Sequence, residues 1–448
     1  MNRRQALGSA AALATSFALP AQAQAARRKP NIVLILADDL GYGDLGAFGA
    51  RMIRTPNLDR MAREGAKLTT FYASANLCTP SRAGLLTGRY PIRTGLAHQV
   101  IQPNDTNGLP LSEITIPEAL KPDYATALVG KWHLGHVAPF WPPTQHGFDL
   151  FHGLPYSHDM RPLNLYDATA GGGVELIPEL DFHQLTHGFF QRGIRFIEDN
   201  RQKPFFLMLA LTAPHVTLDP HPDFVGHSQA AAYGDVVEEV DANVGVLLQR
   251  LRALGLDRDT LVIVTSDNGP WFEGSAGGMR DRKGGASFDG GYRVPFLARQ
   301  PGRIPAGITN AGLAMNIDIL PTLCAWTGLP LPAAQLDGRD ITPMLTRRNG
   351  PSPHDELVLF NNEQVAAIRT DRWKLATRAY YRGTDFNMDR YSYLLFDLQA
   401  DPAETYDLST RYPQIRADLD ARLARARATF DPLATRPPPT PIPPLAPR

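Results

Sequence analysis

The sequence predicts an α/β fold: a large, mostly parallel or mixed sheet sandwiched by helices, with a small C-terminal α+β subdomain. Three observations predict it. The runs NIVLIL (31–36), YATALV (124–129), PFFLMLAL (204–211) and TLVIVT (260–265) are apolar throughout, as strands covered on both faces are. Amphipathic stretches of helical period lie between them. Each run leads directly into charged or ligating side chains, as expected of a site at the carboxyl ends of strands in an open α/β sheet.

The first stretch, MNRRQALGSAAALATSFALPAQAQA (1–25), reads as a cleavable export signal. Arg3 and Arg4 form its charged start, and Ala6 to Leu19 is apolar but too short and Ala-rich to span a bilayer. Ala21-Gln22-Ala23 and Ala23-Gln24-Ala25 are both small-residue cleavage sites. The paired arginines suit twin-arginine export, with an ordinary secretory signal or an uncleaved anchor as the other readings. A periplasmic or secreted protein is therefore expected. Lys+Arg and Asp+Glu balance at 45 each, so no global basic field points to nucleic acid or acidic lipid. Any anionic substrate must be held by a local cluster of cations. The oligomeric state is not legible.

Thr55 is expected to cap a helix with Pro56 at its first position, Leu58, Met61 and Ala62 on one face and Gly65 as the stop. DVVEEVDANVGVLLQRLRALG places Val237, Val240, Val244, Leu247, Leu248 and Leu251 on one stripe that ends at Gly255. Residues 26–354 are expected to form the catalytic domain. From about 355, QVAAIRTDRWKLATR and YSYLLFDL read as short antiparallel strands, and PQIRADLDARLARARATF as a helix with Ile415, Leu419 and Leu423 in register. These would form the subdomain 355–430, followed by an extended Pro-rich tail, 431–448.

The chemistry lies at the strand ends. Asp38-Asp39 follows one run and Asp267-Asn268 another. Oxygen ligands without His or Cys suit a hard cation, and the mixed Asp/Asn set favours Ca²⁺ over Mg²⁺. Taken alone, the Asp pair reads equally as a cap or a solvated turn, and Asp-Asn-Gly as a turn. The two cysteines sit in different contexts. Cys324, in IDILPTLCAWTG, reads as a small buried helical residue; Cys78 sits in a polar, Gly- and Pro-rich stretch, which argues against a disulfide between them. Thr79 as cap and Pro80 at the first turn would start a helix that stops at Gly88. Cys78 then lies at a helix N-terminus, where amides and dipole attract an anion, with Arg82 a turn later. A capped helix with a partly buried Cys is the plain alternative.

Cys78 to Arg89, CTPSRAGLLTGR, matches the signature C-x-P-S-R-x-x-x-L-T-G-R in full, and the chain resembles the formylglycine-dependent sulfatases of the alkaline phosphatase superfamily. ADDLGYGDLG, VGKWHLG, TAPH, TSDNGP, RKGGASFDGGYRVPF and FDLQADPAETYDL resemble further family blocks in the family's order, from about residue 30 to 410. Asp123 stands where Gly is usual and Asp289 where Glu is common, both outside the acting residues. The resemblance implies hydrolysis of a sulfated carbohydrate or aryl sulfate to alcohol and inorganic sulfate. It implies that a formylglycine-generating enzyme reads Cys-x-Pro-x-Arg and oxidises Cys78, whose hydrated aldehyde, a gem-diol, attacks sulfur. Asp38, Asp39, Asp267 and Asn268 would hold the divalent metal together with the Cys78-derived group. Arg82 and Lys131 would hold that group and the sulfate, and His133 would act as base. His215 and Lys283 would bind sulfate oxygens and help protonate the leaving alcohol. Ser157, in GLPYSHDM, would be a supporting hydroxyl.

Two rival functions share these residues. A phosphomonoester or phosphonate hydrolase would prefer aryl phosphate to aryl sulfate, and a non-catalytic binder of sulfated glycan would hold but not turn over its ligand. Leaving-group specificity is expected in loops 95–115, 136–185 and 216–232, with His136, His158, Trp141 and Trp271 as candidate pocket residues or ordinary packing.

Overall fold

A computed structural model describes residues 28–436 except 179, 377, 382–383 and 388–392, with side chains described outside 377–392. The expected leader and the end of the tail, 437–448, lie outside the described residues. No described helix is long and apolar enough to cross a membrane.

Eleven strands form one sheet: β1 Asn31–Ala37, β2 Ala66–Tyr72, β3 Ala125–Lys131, β4 Leu150–Leu154, β5 Leu165–Thr169, β6 Val174–Ile177, β7 Phe205–Ala210, β8 Thr260–Ser266, β9 Arg293–Arg299, β10 Ile308–Asn310 and β11 Ala314–Met315. The order is β10-β2-β9-β8-β1-β7-β3-β4-β5-β6, with β11 extending the pairing of β2. The segment β8-β1-β7-β3-β4 is parallel throughout. Antiparallel β9 and β5 sit on either side of it. The four apolar runs are therefore the contiguous centre, and their uniform hydrophobicity reflects cover on both faces. In β1, Ile32, Leu34 and Leu36 pack with Leu85, Leu86 and Leu323. Val33 and Ile35 pack on the other side with Leu58, Phe190 and Val244. This is the strand alternation that the sequence hides because neither face is polar.

The expected helices form, with different caps. The helix Pro56–Glu64 follows Thr55, but the Thr55 hydroxyl donates to Asp59 Oδ1 at 3.1 Å and caps no amide. Asp241 does that work from the helix Ala231–Ala253, accepting from Asn57 N at 3.2 Å and Leu58 N at 2.8 Å. The helix Cys78–Thr87 begins at Cys78 itself, after Leu77, so Thr79 is not its cap and Pro80 is not its first residue. Thr79 Oγ1 instead donates to His133 O at 2.9 Å, and the helix stops at Gly88 with φ +67°. Cys324 is buried in the helix Ile319–Thr327, and both cysteines are free.

The C-terminal part builds a second sheet from β12 Glu356–Asn361, β13 Gln364–Thr370, β14 Trp373–Ala376 and β17 Leu394–Asp397, all antiparallel. Strands β15 Arg378–Tyr381 and β16 Thr384–Asn387 pair separately. The helix Pro413–Phe430 buries Leu419, Leu423 and Phe430 against this part, with Ile415 only partly covered. The tail starts as a short 3-10 helix, Asp431–Leu433, rather than as extended chain. A buried ionic node ties the two sheets together. Lys374 Nζ lies 2.9 Å from Asp289 Oδ1 and 2.8 Å from Glu404 Oε1. Tyr72 from β2 donates to Asp289 Oδ2 at 2.7 Å.

Glu239 on the long helix is 1% exposed. Burial pushes its carboxyl up to about 7, the His221 amide offsetting part of this. A folded-state pKa above the unfolded one means the fold holds the proton more tightly. That contribution is complete below the unfolded pKa and is lost as pH rises through about 7. Glu239→Gln is expected to flatten this dependence: equal melting temperature at pH 4, and a variant more stable than wild type at pH 8 by on the order of 1–3 kcal/mol. Melting curves across that range check it.

Candidate active site

Strands β8, β1, β7 and β3 are adjacent and parallel, so the residues that follow them share one rim. The ladder continues a step past the strands, with Asp267 N donating to Ala37 O at 3.1 Å and Asp38 N to Ala213 O at 3.0 Å. This sets Asp38 beside Asp267. Asp39 N then donates to Asp267 Oδ1 at 3.2 Å. Asp39 and His133 both hold left-handed backbone, φ +63° and +60°, a strained state for such residues that surrounding contacts must enforce. Lys131, at the end of β3, follows Gly130, whose φ is +117° and where a Cβ would lie 1.9 Å from Ala210 O. Only glycine lets the two strands approach so closely there.

Cys78 enters from the neighbouring helix, its Sγ 3.4 Å from Asp38 Oδ1. Arg82, one turn on, donates from Nε to Asp267 Oδ2 at 2.9 Å and from Nη1 to Lys131 O at 3.0 Å; its Nη2 is 3.5 Å from Asp38 Oδ1. Lys131 Nζ reaches Asp38 Oδ2 at 2.6 Å. Lys283 Nζ reaches Asp39 Oδ2 at 2.8 Å, and His215 Nε2 is 3.6 Å from the same oxygen. Asn268 Nδ2 donates to Asp39 Oδ1 at 2.7 Å. Ser81 donates to Asp267 O and is held in turn by Asn316 Nδ2 at 2.9 Å. These two supports were not singled out from sequence, although Ser81 stands inside the twelve-residue signature.

Burial raises the Asp38 carboxyl, but Lys131, His215, Arg82 and Lys283 outweigh it and hold Asp38 well below the ordinary range. Burial and Asp38 itself push Asp267 up. Burial likewise drives the Cys78 thiol up, with Lys131 and Lys283 offsetting part of the rise. The thiol is thus no poised thiolate. Burial, then Lys131 and Arg82, depress His133, which is neutral. Its Nε2 lies 3.0 Å from Ile101 O, a pure acceptor, so Nε2 carries the proton and Nδ1 keeps the lone pair. His215 is arranged the other way: Nδ1 donates to Val216 O, leaving Nε2 toward Asp39.

Asp38, Asp39, Cys78 and His215 each offer an atom, all within 4.8 Å of one another. Asn268 Oδ1 is buried without a hydrogen-bond partner. The convergent carboxylates of Asp38, Asp39 and Asp267 and this spare amide oxygen fit a hard divalent cation. The sequence pattern had not placed His215 within this group.

A cavity of about 310 Å³ opens over the cluster. Cys78, His133, Ser157, His215 and Lys283 line it, as does Trp271, one of the candidate pocket residues. His136 and Trp141 do not. His136 Nε2 donates to Pro103 O at 3.0 Å and its ring packs on Tyr156, while Trp141 packs against Phe151 and Tyr166. Both are held as structural aromatic contacts. His158 sits beside His215, rings 5.7 Å apart, with Nε2 at Thr217 O. Val100, Asp159, Met160 and Val216 also line the cavity and were missed individually. They lie in the loops expected to set specificity; Asp159 and Met160 close the GLPYSHDM segment, while no motif marks Val100 or Val216.

A model of the sulfatase family matches residues 30–329. The chain belongs to the sulfatase family. A second model, the C-terminal part of N-sulphoglucosamine sulphohydrolase, matches residues 284–429. Arylsulfatase A of Bos taurus is 39% identical, over 91% of this chain and 89% of its own. Steryl-sulfatase of Mus musculus is 34% identical, over 91% and 83%. The crystal structure of the PsFucS1 sulfatase from Pseudoalteromonas sp. superposes with a TM-score of 0.84 at 30% identity, covering 92% of each chain. The chain is thus a sulfuric ester hydrolase. Of this sulfatase's two departures from the pattern, Asp123 pairs with Lys29 at the surface and Asp289 fills the buried node with Lys374.

Arg82→Met is expected to cost this sulfatase about 3–5 kcal/mol, because it leaves Asp267 and Asp38 buried with less compensation. Arg82→Lys restores only part, lacking the planar fork. Denaturant unfolding of both variants measures it.

Proposed function

We propose that this sulfatase is exported and releases inorganic sulfate from sulfated carbohydrates or aryl sulfates. In this reading it uses a divalent cation, Ca²⁺ rather than Mg²⁺, and formylglycine made from Cys78. One observation carries the reading: Cys78, three buried carboxylates, two lysines and two histidines meet at one rim beneath a cavity. When in place, the cation supplies positive charge at the sulfuryl group and the oxidised Cys78 side chain supplies the attacking oxygen.

The chain's own groups supply the rest. Asp38, Asp39, Asp267 and Asn268 hold the cation. With their carboxylates so engaged, Lys131 and Lys283 turn their charge to the sulfate oxygens, preorganised before charge develops. Arg82 keeps Asp267 and Asp38 oriented. His133 takes up a proton at Nδ1, its only free lone pair, and Lys283 Nζ, or His215 Nε2 when that ring is doubly protonated, gives one to the leaving oxygen. Ser157 supports the sulfate end of the cavity. Cys78 is 1% exposed, so the formylglycine-generating enzyme would meet it before the chain folds.

Paired kinetics on an aryl sulfate and its aryl phosphate test the reaction class, with the sulfate expected to be preferred; the reverse preference would sink the sulfatase assignment in favour of a phosphohydrolase. Cys78→Ser is expected to stop sustained turnover, because a hydroxyl lacks the second oxygen of a hydrated aldehyde; rapid steady turnover by that variant would defeat the formylglycine mechanism. Ca²⁺ added to chelator-treated protein is expected to raise its melting temperature, by the equivalent of about 2.7 kcal/mol at a hundredfold excess over Kd. Asn268→Ala should shrink that shift, and calorimetry reads both.

A further inference from the structure

The mouth of the active-site cavity is largely apolar, with Val100, Met160, Val216 and Trp271 along it and Asp159 as its exposed carboxylate. A second cavity of about 210 Å³ adjoins it, and Val100 lines both. Its lining is of the opposite character: His98, Gln99, Asp105, Asn107, Glu363 and Arg436 contribute polar groups. It is smaller than the roughly 300–1,000 Å³ of a whole-ligand pocket and suits a fragment of one.

Both boundaries of this cavity are built. The strip that divides it from the catalytic cavity is anchored on catalytic elements: Ile101 N donates to Thr79 Oγ1 at 3.0 Å, and Ile101 O holds His133 Nε2 at 3.0 Å. The far wall comes from the end of the described chain. Glu363, in the turn between β12 and β13 and 4% exposed, accepts from Thr435 N at 2.9 Å, Thr435 Oγ1 at 2.7 Å and Arg436 N at 2.9 Å. A buried carboxylate spent on three bonds to Thr435 and Arg436 fixes that segment as a wall.

We propose that the second cavity binds the next sugar of an oligosaccharide whose terminal, sulfated sugar occupies the catalytic cavity, so that the leaving group is at least a disaccharide unit with a neutral second ring. This rests on the sulfatase reading above. The apolar mouth with Trp271 suits the C–H face of a pyranose. The amide of Asn107 and the carboxylate of Asp105 suit hydroxyls, which both donate and accept. Two carboxylates, Asp105 and Glu363, against the single guanidinium of Arg436 in the lining disfavour a second sulfate or a uronic acid there.

The test uses enzyme with the confirmed Cys78 aldehyde. Its substrates are 4-methylumbelliferyl sulfate and sulfated galactose, N-acetylgalactosamine and fucose, each as free sugar and as the sulfated terminus of a disaccharide. For at least one sugar the disaccharide is expected to exceed its monosaccharide in kcat/KM by about tenfold, the worth of one or two hydrogen bonds. Asn107→Trp, which fills the cavity, and Asn107→Ala, which removes one partner, should abolish or reduce that gain. Both should leave the melting temperature and umbelliferyl sulfate kinetics unchanged. Disaccharides no better than their monosaccharides for all three sugars, or variants that lower both substrate classes equally, overturn the subsite while the sulfatase reading stands. Failure to hydrolyse any of the sulfates overturns both.

Discussion

Three carboxylates and three basic side chains are packed at the ends of adjacent strands, and neither set is tolerable there without the other. Asp38, Asp39 and Asp267 are all but excluded from solvent, as are Arg82 and Lys131, with Lys283 nearly so. Desolvating such charges costs several kcal/mol each, and only close opposite charges and hydrogen bonds offset it. The mutual pairing explains why so many segments converge: the end of β1 contributes two carboxylates, and β3, β8, the helix of Cys78 and the loop of Lys283 one charge each, which other segments neutralise. The same arrangement suits reaction. An anion entering this rim finds lysines already desolvated and aimed, held by carboxylates that a cation can engage instead.

Sheet order turns this chemistry into geometry. Because β8, β1, β7 and β3 run side by side in one direction, their following residues meet without long excursions of chain. The left-handed backbone at Asp39 and His133 is a local cost of making the turn at that point and presenting the side chain to the rim. The stable core beneath sustains it. The two histidines take opposite tautomeric arrangements because each is tied to a carbonyl through a different ring nitrogen. The nitrogens left free of those carbonyls near the same cavity are therefore Nδ1 of His133 and Nε2 of His215.

The C-terminal sheet is more than an appendage. Through Lys374 and Glu404 it is joined to Asp289, a few residues beyond Lys283, while Arg280 donates to Glu404 O at 2.9 Å. The loop that carries Lys283 is thus braced from the C-terminal side. Glu363 brings the end of the described chain to the rim of the cleft. Catalytic loop and cleft wall both depend on residues more than seventy positions away.

Much of this was legible in the sequence. Uniformly apolar runs announce central strands because two-sided burial removes the polar alternation, and the residues after each run mark the rim. The twelve-residue signature places Cys78 and Arg82 a turn apart on a helix, a local relation that the chain itself dictates. Caps were less legible: Thr55 has the right type and position, yet Asp241 caps the first helix, and Thr79 lies inside its helix with its hydroxyl drawn to His133 O, because distant partners outcompete local ones. Pocket residues such as Val100 and Val216 were invisible, since loop side chains carry no periodicity. Local sequence could determine which strands are buried, which segments are helical, and which side chains can ligate or carry charge. Only the tertiary structure could decide which charges neutralise one another, which histidine nitrogen is free and which loops enclose the cleft, because those depend on through-space contacts between segments whose separation along the chain carries no information about distance.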